Sequence, residues 1–254
     1  MSRTYALKPV LDYVLAALVV VGFSWLLVGS LLAVWLQDFQ SPFYMARRVG
    51  RGGKDFTMIK VRSMVKNAEK TGVNSTGVND MRITAVGRFI RRYKIDEVSQ
   101  FLNVLRGDMS VVGPRPNTRK WGVDLYTAEE QRLLQLKPGI TDLSSIVFSD
   151  EGEILADAAH PDLRYNQIIR PWKSRLGLFY LEHAALGLDL QIIWLTALAV
   201  LNKRAALDGV VRLLEERGAS EELVNVCRRN GPLPEAPPPG GLEVENGALY
   251  GASR

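Results

Sequence analysis

Two adjacent carboxylates, Asp96 and Glu97, follow a cationic stretch that carries Arg88, Arg91, Arg92 and Lys94. A third element of charge, Arg115, stands between Pro114 and Pro116. Proline fixes φ on either side of that arginine, so its guanidinium is partly preset for bidentate recognition of phosphate. Acids are common in the first turn of a helix for stability alone, where the positive helix end favours their ionised form. Acids beside fixed cations suggest more: a phosphorylated substrate bridged by Mg²⁺, with a carboxylate that can attack phosphorus without a base to activate it. Other chemistries are excluded by composition. Cys227 is the one cysteine and His160 and His183 the two histidines, too few for a Cys₄ or Cys₂His₂ zinc site or for an intrachain disulfide. A metal here would rest on oxygen ligands, which points to Mg²⁺. No Gly-x₄-Gly-Lys-Ser/Thr or Gly-x-Gly-x-x-Gly run is present, so the common nucleotide cradles are absent.

The elements that must position these groups follow from pattern. A helix is expected from about Ile83 to Tyr93 and another from about Ile95 to Arg106, the latter with an apolar stripe of Val98, Phe101, Leu102 and Leu105 and a stop at Gly107. Upstream, Phe43–Val49 and Asp55–Arg62 are β-prone runs around Gly50-Arg51-Gly52-Gly53, a hairpin signature. Lys60 and Arg62 fall on one face of the second run, where they are either solvated or turned toward an anion. Lys66 to Asp80 reads as a polar loop, Val123–Leu136 as a polar helical stretch, and Lys137-Pro138-Gly139 as its break.

The chain has 254 residues, 47% of them hydrophobic, and a net charge of +5, so disorder over the whole length is excluded. Tyr13 to Leu36 contains neither charge nor proline. As a helix it would be about 36 Å long, enough for a hydrocarbon core of about 30 Å. Arg3 and Lys8 precede it, and Arg47, Arg48, Arg51 and Lys54 follow. The tendency of basic flanks to stay in the cytoplasm favours a helix that enters and turns back, with Gly22 and Ser24 marking a bend and Trp25 where a proline would reinforce it. A single span with the short N-terminus outside is the alternative; both keep the chain after residue 40 cytoplasmic. Leu190 to Leu201 is apolar but short, fit for the core or for the membrane interface. Eight acidic and five basic residues follow Arg204, so the positive charge is concentrated in the membrane-proximal part, as anionic lipid or phosphorylated substrates would require. Five of the twelve prolines lie between 232 and 239, and disorder is expected from about 230.

The run Lys94-Ile-Asp-Glu-Val-Ser-Gln-Phe-Leu-Asn-Val-Leu-Arg-Gly-Asp-Met-Ser-Val-Val-Gly-Pro-Arg-Pro116 closely resembles the core signature of bacterial monotopic phosphoglycosyl transferases, the bacterial sugar transferases. The resemblance extends to Phe56–Met64, to Asp80, Arg82 and Gly87, to Lys137–Thr141 and to Leu188–Ile193, and covers roughly residues 5–203. It implies transfer of sugar-1-phosphate from a UDP-sugar to a polyprenyl (undecaprenyl) phosphate, releasing UMP, as the first membrane step of surface glycan assembly. Asp96 matches the attacking member of an Asp-Glu dyad and Glu97 its partner in metal binding or proton handling, with Mg²⁺ as cofactor. Arg91 and Arg115 match phosphate-binding positions. Three departures stand out: Ser24-Trp25 replaces the usual Ser-Pro, Lys94 sits near a position that usually offers a Ser or Thr cap, and Asp142-Leu-Ser-Ser-Ile-Val-Phe-Ser-Asp-Glu151 replaces a Gly-Trp-x-Gln-type segment that lines the donor pocket.

The expected fold is therefore α+β and mostly helical: a membrane-inserted, re-entrant helix in residues 1–40, a catalytic domain with a small hairpin and interface helices in 41–204, and a variable extension in 205–254. The expected place is the cytoplasmic face of a bacterial inner membrane, with membrane lipid as a partner and no nucleic acid, since the basic residues are not interleaved with aromatics on a recognisable nucleic-acid module. The competing reading is a catalytically inactive, membrane-anchored binding protein of the same fold.

Overall fold

A computed structural model of the chain describes residues 3–68, 80–120 and 122–245. It is mostly helical, with two small two-stranded sheets. Most of the expected polar loop, residues 69–79, lies outside the described residues.

The apolar N-terminal segment forms two helices, α1 (Lys8–Gly22) and α2 (Ser24–Asp38). Pro9 sits in the first turn of α1, where its missing N–H costs nothing. Phe23, between them, leaves helical geometry (φ −104°, ψ 12°), and Ser24 Oγ donates to the carbonyl of Val21 at 2.8 Å. Such back-bonding bends helices, so the break falls at the expected Gly22–Ser24 step, with Trp25 71% exposed on the first turn of α2. Burial lies away from the break: Asp12 and Ala16 in α1, Ser30 and Val34 in α2. Leu18, Val21, Phe23, Trp25 and Val28, around the break, are exposed. Both outer ends are fastened to one body. Lys8 Nζ pairs with Asp189 at 2.8 Å, Asp12 accepts from Ser110 Oγ and Val111 N, and Asp38 takes both guanidinium prongs of Arg62 at 2.6 Å. Tyr5–Gly22 is long and apolar enough to cross a membrane by length and composition.

The hairpin forms as expected, β1 (Phe43–Val49) antiparallel to β2 (Asp55–Val61), its turn carried by Gly52 and Gly53 at positive φ. Next come α3 (Ala85–Arg92), capped by Thr84 Oγ1 on Gly87 N, α4 (Ile95–Val98) and α5 (Phe101–Arg106), closed by Gly107 at φ 84°. The single helix expected over 95–106 is thus broken at Ser99-Gln100, and its buried face is not the apolar stripe. Ser99, Gln100, Asn103 and Val104 are buried, while Leu105 is exposed. The reason is the edge of β2. Its unpaired backbone groups need partners, and Asn103 accepts from Ile59 N and donates to Thr57 O, while Ser99 Oγ donates to Ile59 O.

A short parallel pairing, not anticipated from pattern, joins β3 (Ser110–Val112) to β4 (Gly139–Thr141). Between them the expected helix over 123–136 resolves into two 3₁₀ turns, Val123–Leu125 and Glu130–Gln135, the second held by buried Glu130 on Arg170 and Ser174. The remainder is helical: α6 (Leu143–Val147), α7 (Glu151–Ile154), α8 (Pro161–Ile168), α9 (Arg170–His183), α10 (Leu186–Leu201), α11 (Lys203–Glu216) and α12 (Glu221–Arg228). Trp172, Tyr180, Leu188, Ile192 and Leu214 are at the centre of the main core. α10 answers both expectations for it: Leu188, Ile192 and Leu195 are buried, while Leu190, Trp194, Val200 and Leu201 are exposed.

Of the tail after residue 230, for which disorder is expected, residues 231–245 are described. Residues 232–238 run without helix or strand along α8 and α9, and the chain then turns at Pro238–Gly241. Ala236 N donates to Gln167 O, Trp172 Nε1 to Pro234 O and Arg175 to Pro237 O. The prolines expected to signal disorder serve as acceptors in this strap. Residues 246–254 lie outside the described set.

Candidate active site

Asp96 and Glu97 are presented on α4, a single helical turn entered through Lys94 in the left-handed conformation (φ 53°) without a side-chain cap. One turn offers little macrodipole, so the helix end expected to set the charge of both acids is not the main influence. Their neighbours are. Lys60, on β2, places Nζ 3.8 Å from Asp96 Oδ2, and Arg115 Nη2 donates to Glu97 Oε1 at 3.0 Å. Arg115 Nη1 also donates to the carbonyl of Ile140 at 3.3 Å, which fixes the second prong of its fork.

Arg115 is placed by a close backbone crossing. Gly113 N donates to Thr141 O and Gly139 N donates to Pro114 O at 2.9 Å. A Cβ at Gly139 would lie 2.2 Å from Gly113 N, and one at Gly113 would lie 2.4 Å from Lys137 O. Only glycine lets the Pro114-Arg115-Pro116 turn lie on the Lys137-Pro138-Gly139 break. Asn117 O then accepts from Val49 N and ties the turn to the hairpin.

The two acids have opposite electrostatics. Burial pushes the Asp96 carboxyl above the ordinary range and Glu97 pushes the same way, against Lys60, Arg91 and Arg115. Burial also acts upward on Glu97, but Arg115, Lys94 and Lys60 together outweigh it and hold that carboxyl below its ordinary value. Glu97 in turn holds the Arg115 guanidinium well above its usual range, against burial and with help from Asp142 and Glu151. Burial lowers Lys60, with Asp96 opposing and Arg115 and Arg48 adding to the effect.

The structure brings Asp96, Glu97, Lys60, Arg115, Pro114 and Pro116 together. Arg91, in the last turn of α3, is within electrostatic reach of Asp96 without pairing to it. Arg62 goes elsewhere. It is 8% exposed and its guanidinium is engaged by Asp38, so it fastens α2 to the hairpin and is not brought to the dyad. β2 ends at Val61, and Arg62 N bonds Pro42 O one register step beyond the last strand pair. Gly22, Ser24 and Trp25 sit at the break of the membrane helix. Arg48 was missed by sequence reasoning. Its charge bears on Lys60, and that of Arg115 bears on it. The signal was the antiparallel register, which pairs Tyr44 with Lys60 and sets Arg48 two alternate positions along the same face.

Among the described residues no group of three or more Asp, Glu, His or Cys side chains gathers to hold a metal. The dyad offers two carboxylates. That donor set fits Mg²⁺, which binds through one or two carboxylates and completes its octahedron with water and substrate phosphates.

Residues 3–203 match the family described as bacterial sugar transferase. A UDP-N-acetylgalactosamine-undecaprenyl-phosphate N-acetylgalactosaminephosphotransferase of Aeromonas hydrophila is 33% identical over 204 residues, 79% of this chain and 45% of the relative. A UDP-glucose:undecaprenyl-phosphate glucose-1-phosphate transferase of Xanthomonas campestris pv. campestris is 35% identical over 205 residues, 78% of this chain and 40% of the relative. An uncharacterized sugar transferase, EpsL, of Bacillus subtilis is 33% identical over 195 residues, 77% of this chain and 87% of the relative. The chain belongs to the bacterial sugar transferase family. It spans less than half the length of the Aeromonas and Xanthomonas relatives.

Proposed function

We propose that this chain transfers sugar-1-phosphate from a UDP-sugar to undecaprenyl or a related polyprenyl phosphate at the cytoplasmic face of a bacterial inner membrane. The observation that carries the reading is Asp96, with its side chain 14% exposed, set among Lys60, Arg91 and Arg115, beside a Glu97 that Arg115 already holds. An Asp96 oxygen attacks the β-phosphorus of the donor; the bond from that phosphorus to the bridging oxygen breaks, and UMP leaves with the electron pair. The polyprenyl phosphate oxygen then attacks the same phosphorus, the aspartyl–phosphorus bond breaks, and Asp96 is restored as a carboxylate while polyprenyl-diphosphate-sugar departs. Arg115 and Lys60 neutralise the diphosphate and hold it in line with Asp96. Mg²⁺, held by Asp96 and Glu97, would supply further neutralisation of charge on the phosphoryl oxygens. α1 and α2 would enter the bilayer and turn back at Phe23. The exposed residues of α10, Leu190, Trp194, Val200 and Leu201, and Phe89 and Tyr93 of α3, suit a body resting on the membrane interface, where the acceptor phosphate resides.

The test is incubation with Mg²⁺, undecaprenyl phosphate and a panel of UDP-sugars, following UMP. Release with at least one sugar is expected, together with a phosphosugar adduct on Asp96 when the acceptor is withheld. Asp96→Asn is expected to abolish both, because an amide is a poor nucleophile. Full turnover by that variant would remove the assigned nucleophile; donor binding by wild type with no UMP from any sugar would favour the inactive binding protein.

A further inference from the structure

The chain after residue 203 lies beyond the family match, yet it is built into the same core: Leu207, Val210, Leu214, Val224 and Cys227 are buried with Phe148 and Trp172. α12 closes on Arg229 in the left-handed conformation (φ 51°), a position glycine ordinarily fills because a Cβ is disfavoured there. What Arg229 supplies is its side chain. Nη2 donates to Asp150 Oδ2 at 2.9 Å, the guanidinium lies 5.9 Å over the Phe148 ring, and Lys203 Nζ reaches the same Asp150 oxygen at 2.9 Å. The other prongs, Arg229 Nη1 and Asp150 Oδ1, are buried with no hydrogen-bond partner among the described residues. An ion pair that leaves two buried polar atoms unsatisfied is a poor source of stability. It is an effective way to fix where Asp150 stands.

Asp150 opens α7, and the next residue, Glu151, is ion-paired with Lys173, which stands 5.2 Å from the centre of the Tyr165 ring. This cluster is within electrostatic reach of Arg115. Arg115 bonds the carbonyl of Ile140; Asp142, two residues on, caps α6 through Ser145 N at 2.7 Å; and α6 leads into the Asp150 turn. The charges of Asp142 and Glu151 both bear on Arg115, and that of Arg115 bears on Lys173.

We propose that the C-terminal segment is a brace: Arg229 and Lys203, as positioning residues acting through Asp150, hold Glu151 and Lys173 beside the diphosphate site, where the carboxylate and ammonium hydrogen-bond hydroxyls of the donor sugar. The inference rests on the reading above. The full chain is used, in lipid nanodiscs, with UDP-sugars and UDP as probes. Arg229→Ala is expected to raise KM for the UDP-sugar about tenfold, the scale of one lost charged hydrogen bond, with kcat and the KM for undecaprenyl phosphate nearly unchanged. Arg229→Lys should recover most of that loss. A fall in kcat at unchanged donor KM, as loss of folded protein would give, overturns the brace. Glu151→Gln should reorder preference across the sugar panel while inhibition by UDP alone stays constant; equal weakening of UDP overturns the sugar assignment. Amide exchange needs no turnover. Arg229→Ala should speed exchange over residues 148–155, and unchanged exchange overturns the brace. Faster exchange in a chain that turns over no UDP-sugar would support the brace and defeat the transferase reading instead.

Discussion

Asp96 and Glu97 are adjacent in sequence and similar in chemistry, but the fold treats them oppositely. A carboxyl whose pKa is raised on folding holds its proton more tightly in the fold. Its contribution favours the fold at low pH and turns against it as pH rises through the raised value. That is the case of Asp96, so at neutral pH its ionised form is a liability kept for chemistry. Glu97, held below its ordinary value, stabilises above the unfolded pKa and loses that contribution as pH falls through the folded one. Asp96→Asn should therefore raise the thermal midpoint at pH 7 while removing activity; relief of about 1 kcal/mol corresponds to about 2–4 °C in a chain of this size. A lower midpoint in calorimetry would show that the carboxylate is well solvated. Lys60 pulls the Asp96 carboxyl down, so Lys60→Met should move the acid limb of the kcat/KM profile to higher pH, and an unmoved limb would separate Lys60 from the nucleophile. Residue types and local spacing made the dyad, Lys60 and Arg115 legible in the sequence. The split between the two acids was not, because it depends on burial and on cations brought from β2 and from the turn after β3. Arg48 was hidden for a related reason: next to Arg47 it reads as a membrane flank, and only strand register gives it to the site.

At the scale of elements, the hairpin was legible because two β-prone runs around a Gly-rich turn are a local signal, and α3 was legible as a helical stretch. The β3–β4 crossing was not, since three-residue strands carry no period. Yet that crossing determines where Arg115 stands. Gly139→Ala would force Gly113 and Gly139 apart, because the new Cβ meets backbone, which cannot rotate away as a side chain can. A shift of about 1 Å at a positioned catalytic group costs about a hundredfold in rate. We expect Gly139→Ala to lower kcat/KM by about that factor while the protein stays folded, and Arg115→Ala in the same background to cost little more, since both remove the same positioned guanidinium. Full additivity in that double-mutant cycle would mean that the crossing serves stability alone. The split of the expected 95–106 helix belongs to this scale as well. Val98, Phe101, Leu102 and Leu105 made the stronger pattern by hydrophobicity, but the open edge of β2 selected Ser99 and Asn103, and burial followed the hydrogen bonds.

For the whole molecule, the arrangement that matters is the fastening of a broken apolar helix at both ends to one body. Positive flanks on both sides suggested a returning helix; the fastenings themselves were not legible, because each joins residues far apart in sequence. Arg62 shows the cost of reading one strand alone, where its spacing from Lys60 suggested an anion site. In the fold Arg62 is nearly buried, and Asp38 meets it with two hydrogen bonds of 2.6 Å at the last residue of α2. Removing Asp38 strands a buried guanidinium. Because Asp38 itself is open to solvent, Asp38→Ala should lower stability only modestly, as a fall in the thermal midpoint would show. The larger consequence is topological. With the pair intact, a cysteine placed at position 2 should be labelled by an impermeant maleimide only after the cell is opened. With Asp38→Ala combined with Asp12→Ala, which frees the other leg from Ser110 and Val111, a fraction should become accessible from outside, as the four basic residues after the helix retain its C-terminal end while the N-terminal end loses its anchor. Labelling of the otherwise unaltered chain from outside would mean that the two legs form a single span and that the bend at Phe23 does not return the helix.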